Sequence, residues 1–219
     1  MRISAVAWDV DGTLVHSEPR HHRALLSASA LWGVDLSDLP DETFQGVHVA
    51  DVWSALKTRY PSRLSFSDWL AAINDAYLSD QEAMSVIPGA LETVKLFAEV
   101  GVLQICVSNS NRPIVDANIE GLGISKMIVG SISLDDVTNG KPNAEPYLKA
   151  CSALGVENSS VVAIEDSATG LRSAVSAGLL TVAFTSDPII AKLASFATDD
   201  LRSLQSLFGS TLCRPTVAS

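Results

Sequence analysis

Short, unbroken apolar runs recur along the chain at 3–8 (ISAVAW), 102–107 (VLQICV), 127–130 (MIVG), 160–164 (SVVAI) and 179–184 (LLTVAF). Runs of this length without polar alternation suit strands of a parallel sheet covered on both faces. Between them lie amphipathic stretches with helical spacing, at 90–100, 111–122, 143–154 and 168–177. Strand and helix alternate through short Gly-containing turns. The pattern predicts βαβ units and an α/β fold with a doubly wound parallel sheet.

Residues 16–86 break that rhythm and read as helices only, at 19–32, 48–60 and 67–84. Ser67 is the expected N-cap of the last, ahead of DWLAAINDAYL. Three of the four tryptophans (Trp32, Trp53, Trp69) and all four histidines (His16, His21, His22, His48) fall in this segment. Tryptophans so grouped fit the small core of an independent helical unit. The expected organisation is a core of residues 1–15 and 87–219 with a helical insert at 16–86. VHSEP and SVIPGA form the hinges. The Ser/Thr-rich tail after about Leu207 is expected to fray.

Composition narrows the function classes. The chain has 219 residues, 47% of them hydrophobic and 18% charged, which is globular rather than disordered. A net charge of −10 argues against nucleic acid and anionic membranes as partners. A small anionic substrate stays open where a metal or a local cation overrules that field. Cys106, Cys151 and Cys213 are widely spaced and show neither a disulfide framework nor zinc spacing. The first residues lack the pattern of a secretory signal, and no apolar stretch approaches membrane-spanning length. A cytoplasmic protein is expected, as a monomer or a small homo-oligomer.

In a parallel sheet, functional groups gather at the carboxyl ends of strands. Here those ends carry Asp9-Val10-Asp11-Gly12-Thr13, Ser108-Asn109-Ser110, Gly140-Lys141-Pro142 and Glu165-Asp166-Ser167. Taken singly, each has an ordinary explanation: a turn, a helix N-cap, a solvated lysine, acids at a helix start. Together they suit phosphoryl transfer. Clustered carboxylates repel unless a hard cation such as Mg2+ sits among them. One carboxylate can then attack phosphorus while another handles the proton. Ser108 and nearby backbone amides can hold phosphate oxygens, and Lys141 supplies positive charge. Gly12, Thr13, Ser108, Asn109 and Lys141 are the candidate phosphate-binding residues.

At these residues the chain resembles the haloacid dehalogenase superfamily, in its phosphatase and β-phosphoglucomutase-like branch. DVDGTL, CVSNS, GKP and VVAIEDSATG match its four motifs in order and spacing. The helical insert matches its cap, and the core would be the family's Rossmann-like sheet. The resemblance implies Asp9 as the nucleophile that accepts the phosphoryl group and Asp11 as general acid/base. It also implies Ser108 and Lys141 as catalytic partners. Mg2+ would be held by Asp9, the Asp11 backbone carbonyl and Asp166, with Glu165 assisting. Residue 16 is His where relatives often have Asp, and Ala144-Glu145 replaces a usual Pro-Asp. Gly46 of the insert has no Arg near it, which weakens the mutase alternative.

The expected function is a Mg2+-dependent phosphatase of a small phosphorylated metabolite, a sugar phosphate or a phosphoglycolate-like acid. The alternatives are a sugar phosphomutase and, from another class, a non-catalytic module that binds a phospholigand. The histidines do not suggest zinc, because His21 and His22 are adjacent and no i,i+4 pair exists. His21 is a weaker candidate for substrate contact. Arg20, Arg23 and Lys57 read as solvated charges, and Asp135-Asp136 as a turn.

Overall fold

The computed structural model describes residues 3–40, 43–44 and 47–205. Gly46, Cys213 and the tail beyond Leu207 lie outside the described residues. The chain divides into two compact units, one running to His16 and resuming at Met84, the other Ser17–Ala83.

The first unit is built on six parallel strands: β1 (Ala5–Trp8), β2 (Leu103–Val107), β3 (Gly130–Ile132), β4 (Val161–Glu165), β5 (Leu180–Phe184) and β6 (Phe196–Thr198). Their order is β3-β2-β1-β4-β5-β6, the doubly wound α/β arrangement expected from the alternation. Its helices are α4 (Ala90–Glu99), α5 (Arg112–Leu122), α6 (Glu145–Leu154), α7 (Ala168–Ser176) and α8 (Pro188–Ala191), numbered after three in the other unit.

Strand periodicity divides the core. Val6 and Trp8 of β1 enter one hydrophobic cluster with Val94 and Phe97 of α4 and Val115, Ile119 and Leu122 of α5. Ala5 and Ala7 point to the opposite face, against Tyr147, Ala150, Cys151 and Leu154 of α6 and Ala174 of α7. Small alanines on this face leave room for the Tyr147 ring beside the central strand. Cys106 and Cys151 are free and buried. Burial pushes the Cys106 thiol up to about 12, so it stays protonated at neutral pH.

Two sheet elements differ from the sequence expectation. The third strand lies at Gly130–Ile132 rather than 127–130. Met127 and Ile128 pack against the core from a turn, the Val129 N–H donates to the Gln104 carbonyl, and the register with β2 runs from Gly130 opposite Ile105. The sixth strand and α8 carried no signal because they are short. β6 is also an edge strand with Phe196 43% exposed, so it shows no apolar run.

The second unit contains α1 (Glu18–Ala30), α2 (Val49–Leu56), a short 3-10 turn at Lys57–Arg59 and α3 (Phe66–Ser79). The cap of α3 is Ser65, not Ser67: Ser65 Oγ accepts from the Asp68 N–H at 3.1 Å, and Ser67 Oγ bonds to Ser65 Oγ. The helix therefore starts at Phe66, and it ends at Ser79 rather than at 84. Its aromatic core centres on buried Tyr60, whose ring lies 5.8 Å from Trp53, 6.0 Å from Trp32 and 6.3 Å from Trp69. The Tyr60 hydroxyl shares a 2.7 Å hydrogen bond with Ser29 Oγ. His48 caps α2 by accepting the Ala50 N–H at its Nδ1. Arg20 and Arg23 are not free solvated charges, since both bind Asp80.

Candidate active site

Parallel register builds the site. Trp8 stands opposite Cys106 on β2 and Ile164 on β4, so Asp9 and Glu165 reach the carboxyl edge together, level with Val107, and Ser108 follows one residue further along β2. Asp9 donates its N–H to the Ile164 carbonyl at 3.0 Å, which places it beside Glu165. On the other side, Ser108 follows Val107, and its N–H goes to the Ile132 carbonyl. After Asp9 the chain turns back at once: the Gly12 N–H donates to the Val15 carbonyl and the Leu14 and Val15 N–H groups to the Val10 carbonyl.

Gly12 is required twice over. Its φ is +90, and a Cβ there would stand 2.1 Å from Asp166 Oδ2. Gly170, in the first turn of α7, allows an equally close approach to Glu165.

Lys141 joins the elements. Its Nζ lies 2.7 Å from Asp9 Oδ1 and 2.6 Å from Glu165 Oε1, and donates to the Val107 carbonyl at 2.8 Å. Asn109 fixes the Lys141 backbone from both sides, accepting its N–H at 2.8 Å and donating to its carbonyl at 3.1 Å. The preceding loop is pinned by Glu145 of α6, whose carboxylate accepts the Thr138 and Asn139 N–H groups. Asp11 points to a different set: its Oδ2 accepts from Ser108 Oγ at 2.8 Å and Ser110 Oγ at 2.9 Å.

The charge balance of the cluster is negative. Asp9, Lys141 and Glu165 are buried, with Asp166 beside them, so one ammonium faces three carboxyl groups. Burial, then the charge of Glu165, raises Asp9 well above the ordinary aspartate range. The same two causes push Asp166 up to about 7. Burial works against the Lys141 ammonium, but Asp9 and Glu165 outweigh it and hold its pKa above the usual lysine value. Burial, then Glu165, also keeps the Tyr147 phenol protonated, and it donates to Glu165 Oε1.

These residues fit a hard cation. Oxygen atoms of Asp9, Glu165 and Asp166 come within 4.8 Å of one another. Asp9 Oδ2 is buried and accepts no hydrogen bond among the described residues, an orphaned carboxyl oxygen that a divalent ion would satisfy. Thr13 Oγ1 is also buried without a partner among the described residues.

The structure thus brings together Asp9, Lys141, Glu165 and Asp166, and joins Asp11 to Ser108. His21 belongs to the helical unit, where its ring lies 4.7 Å from Tyr77. The Asp135-Asp136 turn is a 3-10 segment that anchors the start of α5, since Asp135 accepts the Arg112 N–H and Asp136 binds its guanidinium. Sequence reasoning missed Ser110, Asn118 and Tyr147. Asn118 was visible as a polar residue within the apolar stripe of α5, but nothing showed what it faces.

A doubly wound sheet that gathers three acids and a lysine at its carboxyl edge marks an α/β enzyme whose chemistry centres on carboxylates. The family follows from comparison: a model described as haloacid dehalogenase-like hydrolase matches residues 3–178, and the chain belongs to that family. It is 32% identical to validoxylamine A 7'-phosphate phosphatase of Streptomyces hygroscopicus subsp. limoneus, over 81% of this chain and 84% of that protein. It is 30% identical to hexitol phosphatase B of Escherichia coli, over 83% of each. The crystal structure of CbbY from Rhodobacter sphaeroides in complex with phosphate superposes with a TM-score of 0.83 at 25% identity, covering 92% of this chain and 96% of that one.

Proposed function

We propose that the protein is a Mg2+-dependent phosphatase that hydrolyses a small phosphorylated metabolite, a sugar phosphate or phosphoglycolate-like acid, through an aspartyl-phosphate intermediate. The observation that carries the reading is the state of Asp9: one oxygen bound by buried Lys141, the other buried without a partner among the described residues. Family membership and relatives named as phosphatases support it.

In this reading Asp9 attacks phosphorus, and the bond from phosphorus to the leaving oxygen breaks. Asp11, as the acid, gives its proton to that oxygen. It then takes a proton from water as the water attacks the phosphorus of the aspartyl phosphate, releasing inorganic phosphate and restoring Asp9. Ser108 and backbone amides near Gly12 and Asn109 hold the phosphoryl oxygens, and Lys141 keeps Asp9 oriented and offsets charge. Asp9, Asp166 and the Asp11 carbonyl, with Glu165 assisting, would hold Mg2+. When bound, the ion neutralises charge on the phosphoryl group and on the acids. The helical unit Ser17–Ala83 takes the part of a cap and selects the leaving group, with His21 as its candidate substrate contact.

The test is release of phosphate from sorbitol 6-phosphate, glucose 6-phosphate and 2-phosphoglycolate, with and without Mg2+, for the wild type and Asp9→Asn. Turnover should require Mg2+ and vanish in the variant. Wild-type-like turnover by Asp9→Asn would overturn the assignment, and an isomerised sugar phosphate without free phosphate would replace hydrolysis by mutase chemistry.

A further inference from the structure

Asn118 is fully buried on the core-facing side of α5, among Ile114, Val115, Ile119 and Leu122. A carboxamide in such a stripe is unfavourable unless its hydrogen bonds are made. Its Nδ2 donates to Asp11 Oδ1 at 3.3 Å. The other oxygen of the same carboxylate accepts from Ser108 Oγ and Ser110 Oγ. Asp11 stands in a tight loop after β1, with a side chain free to rotate about two bonds. Donors on both of its oxygens remove that freedom, and they come from α5 and from the loop after β2, which are packed separately from its own segment.

We propose that Asn118 is a positioning residue for Asp11, assisted by Ser110. Asn118 holds Oδ1 and Ser110 holds Oδ2, so the carboxyl group is preset for proton transfer with the leaving oxygen. The inference rests on the reading of Asp11 as general acid/base. It predicts that loss of either donor weakens the proton-transfer part of the reaction and spares binding and nucleophilic attack by Asp9.

The experiment compares two leaving groups in the Mg2+-loaded enzyme. p-Nitrophenolate departs without being protonated, whereas the alkoxide of sorbitol 6-phosphate or glucose 6-phosphate needs a proton. Because kcat/KM reports steps only up to departure of the leaving group, it isolates the acid's role. Asn118→Leu and Ser110→Ala should each lower kcat/KM for the better of the two sugar phosphates about tenfold or more, and that for p-nitrophenyl phosphate less than about twofold. A parallel fall for both substrates, as expected of a purely structural residue, would overturn the proposal. Should Asn118→Leu fail to fold, Ser110→Ala carries the same two outcomes. Asp11→Asn separates the failures. A split there but not in the Asn118 and Ser110 variants overturns the positioning role alone. No split in any of them overturns the acid/base reading, and the positioning role with it.

Discussion

Lys141 and Asp9 form a buried ion pair at 2.7 Å across 132 residues of sequence, with side chains only 4% and 8% exposed. The pair is no isolated bridge, because Glu165 shares the ammonium at 2.6 Å. Desolvation of such groups is offset only while all partners are present. The lysine is therefore both the main internal counter-charge and the clamp on one Asp9 oxygen, while the other oxygen has no partner among the described residues.

Lys141→Met should be costly on both counts. Removing one partner of a buried ion pair destabilises by about 3–5 kcal/mol, because the remaining charge is left uncompensated. Thermal unfolding should fall by roughly 6–20 °C for a chain of this size. Turnover at a temperature where the variant is folded should drop on the order of a hundredfold or more. A variant with wild-type unfolding temperature and turnover would show that Lys141 does neither job.

The sheet was legible because buried parallel strands are written as unbroken apolar runs, and the strand-end residues were legible because they interrupt those runs. Asp9, Glu165 and Asp166 come together as a consequence of the β1–β4 register, whereas Lys141 reaches them from a loop held by Asn109 and Glu145. Tyr147 and Asn118 were not legible. Each looks like part of a helix's buried face, and only the tertiary structure shows which carboxylate its polar tip meets. The edge strand β6 and the Ser65 cap were lost for a different reason. Their signals are local and weak, and in SFSDW two serines compete for one capping position.

Gly170→Ala tests the close packing behind the acid cluster. A Cβ at residue 170 would lie 1.9 Å from Glu165 Oε2. Glu165 cannot swing away freely, because Lys141 and Tyr147 both hold its Oε1. The substitution should destabilise by about 1–3 kcal/mol through overpacking and reduce turnover by shifting Glu165. Gly33→Ala is the control: its φ is +70 but no atom of the described residues lies within 4 Å of a Cβ there. It should cost only about 1–2 kcal/mol of left-handed strain and leave turnover intact. Chemical denaturation and phosphate release distinguish the two, and equal effects on turnover would contradict the packing argument.

Trp69→Ala addresses the helical unit. Trp69 is fully buried and its ring lies 5.2 Å from Trp53 and 6.0 Å from Phe66. Truncation should cost about 3–5 kcal/mol, the usual range for a buried aromatic. Proteolysis should then cut within 17–83 sooner than within the sheet, as read by mass spectrometry of early fragments. Unchanged cutting would mean that the aromatic cluster does not hold this unit together.

Metal and proton should compete for the acid cluster. Without a divalent ion, burial and then Glu165 raise Asp9, and they push Asp166 up to about 7. A carboxyl whose folded pKa lies above its unfolded value contributes stability that is complete below the unfolded value and lost as pH rises through the folded one. The metal-free protein should thus lose unfolding temperature as pH climbs through about 7. In the proposed function Mg2+ takes the place of the proton, so its stabilising shift should be small near about pH 5.5 and grow to several degrees near about pH 8. Thermal unfolding across that range, with EDTA as the reference, reads both limbs. Asp166→Asn should flatten the pH dependence of the Mg2+ shift. A shift of equal size at all pH values in the wild type would place the cation away from these acids.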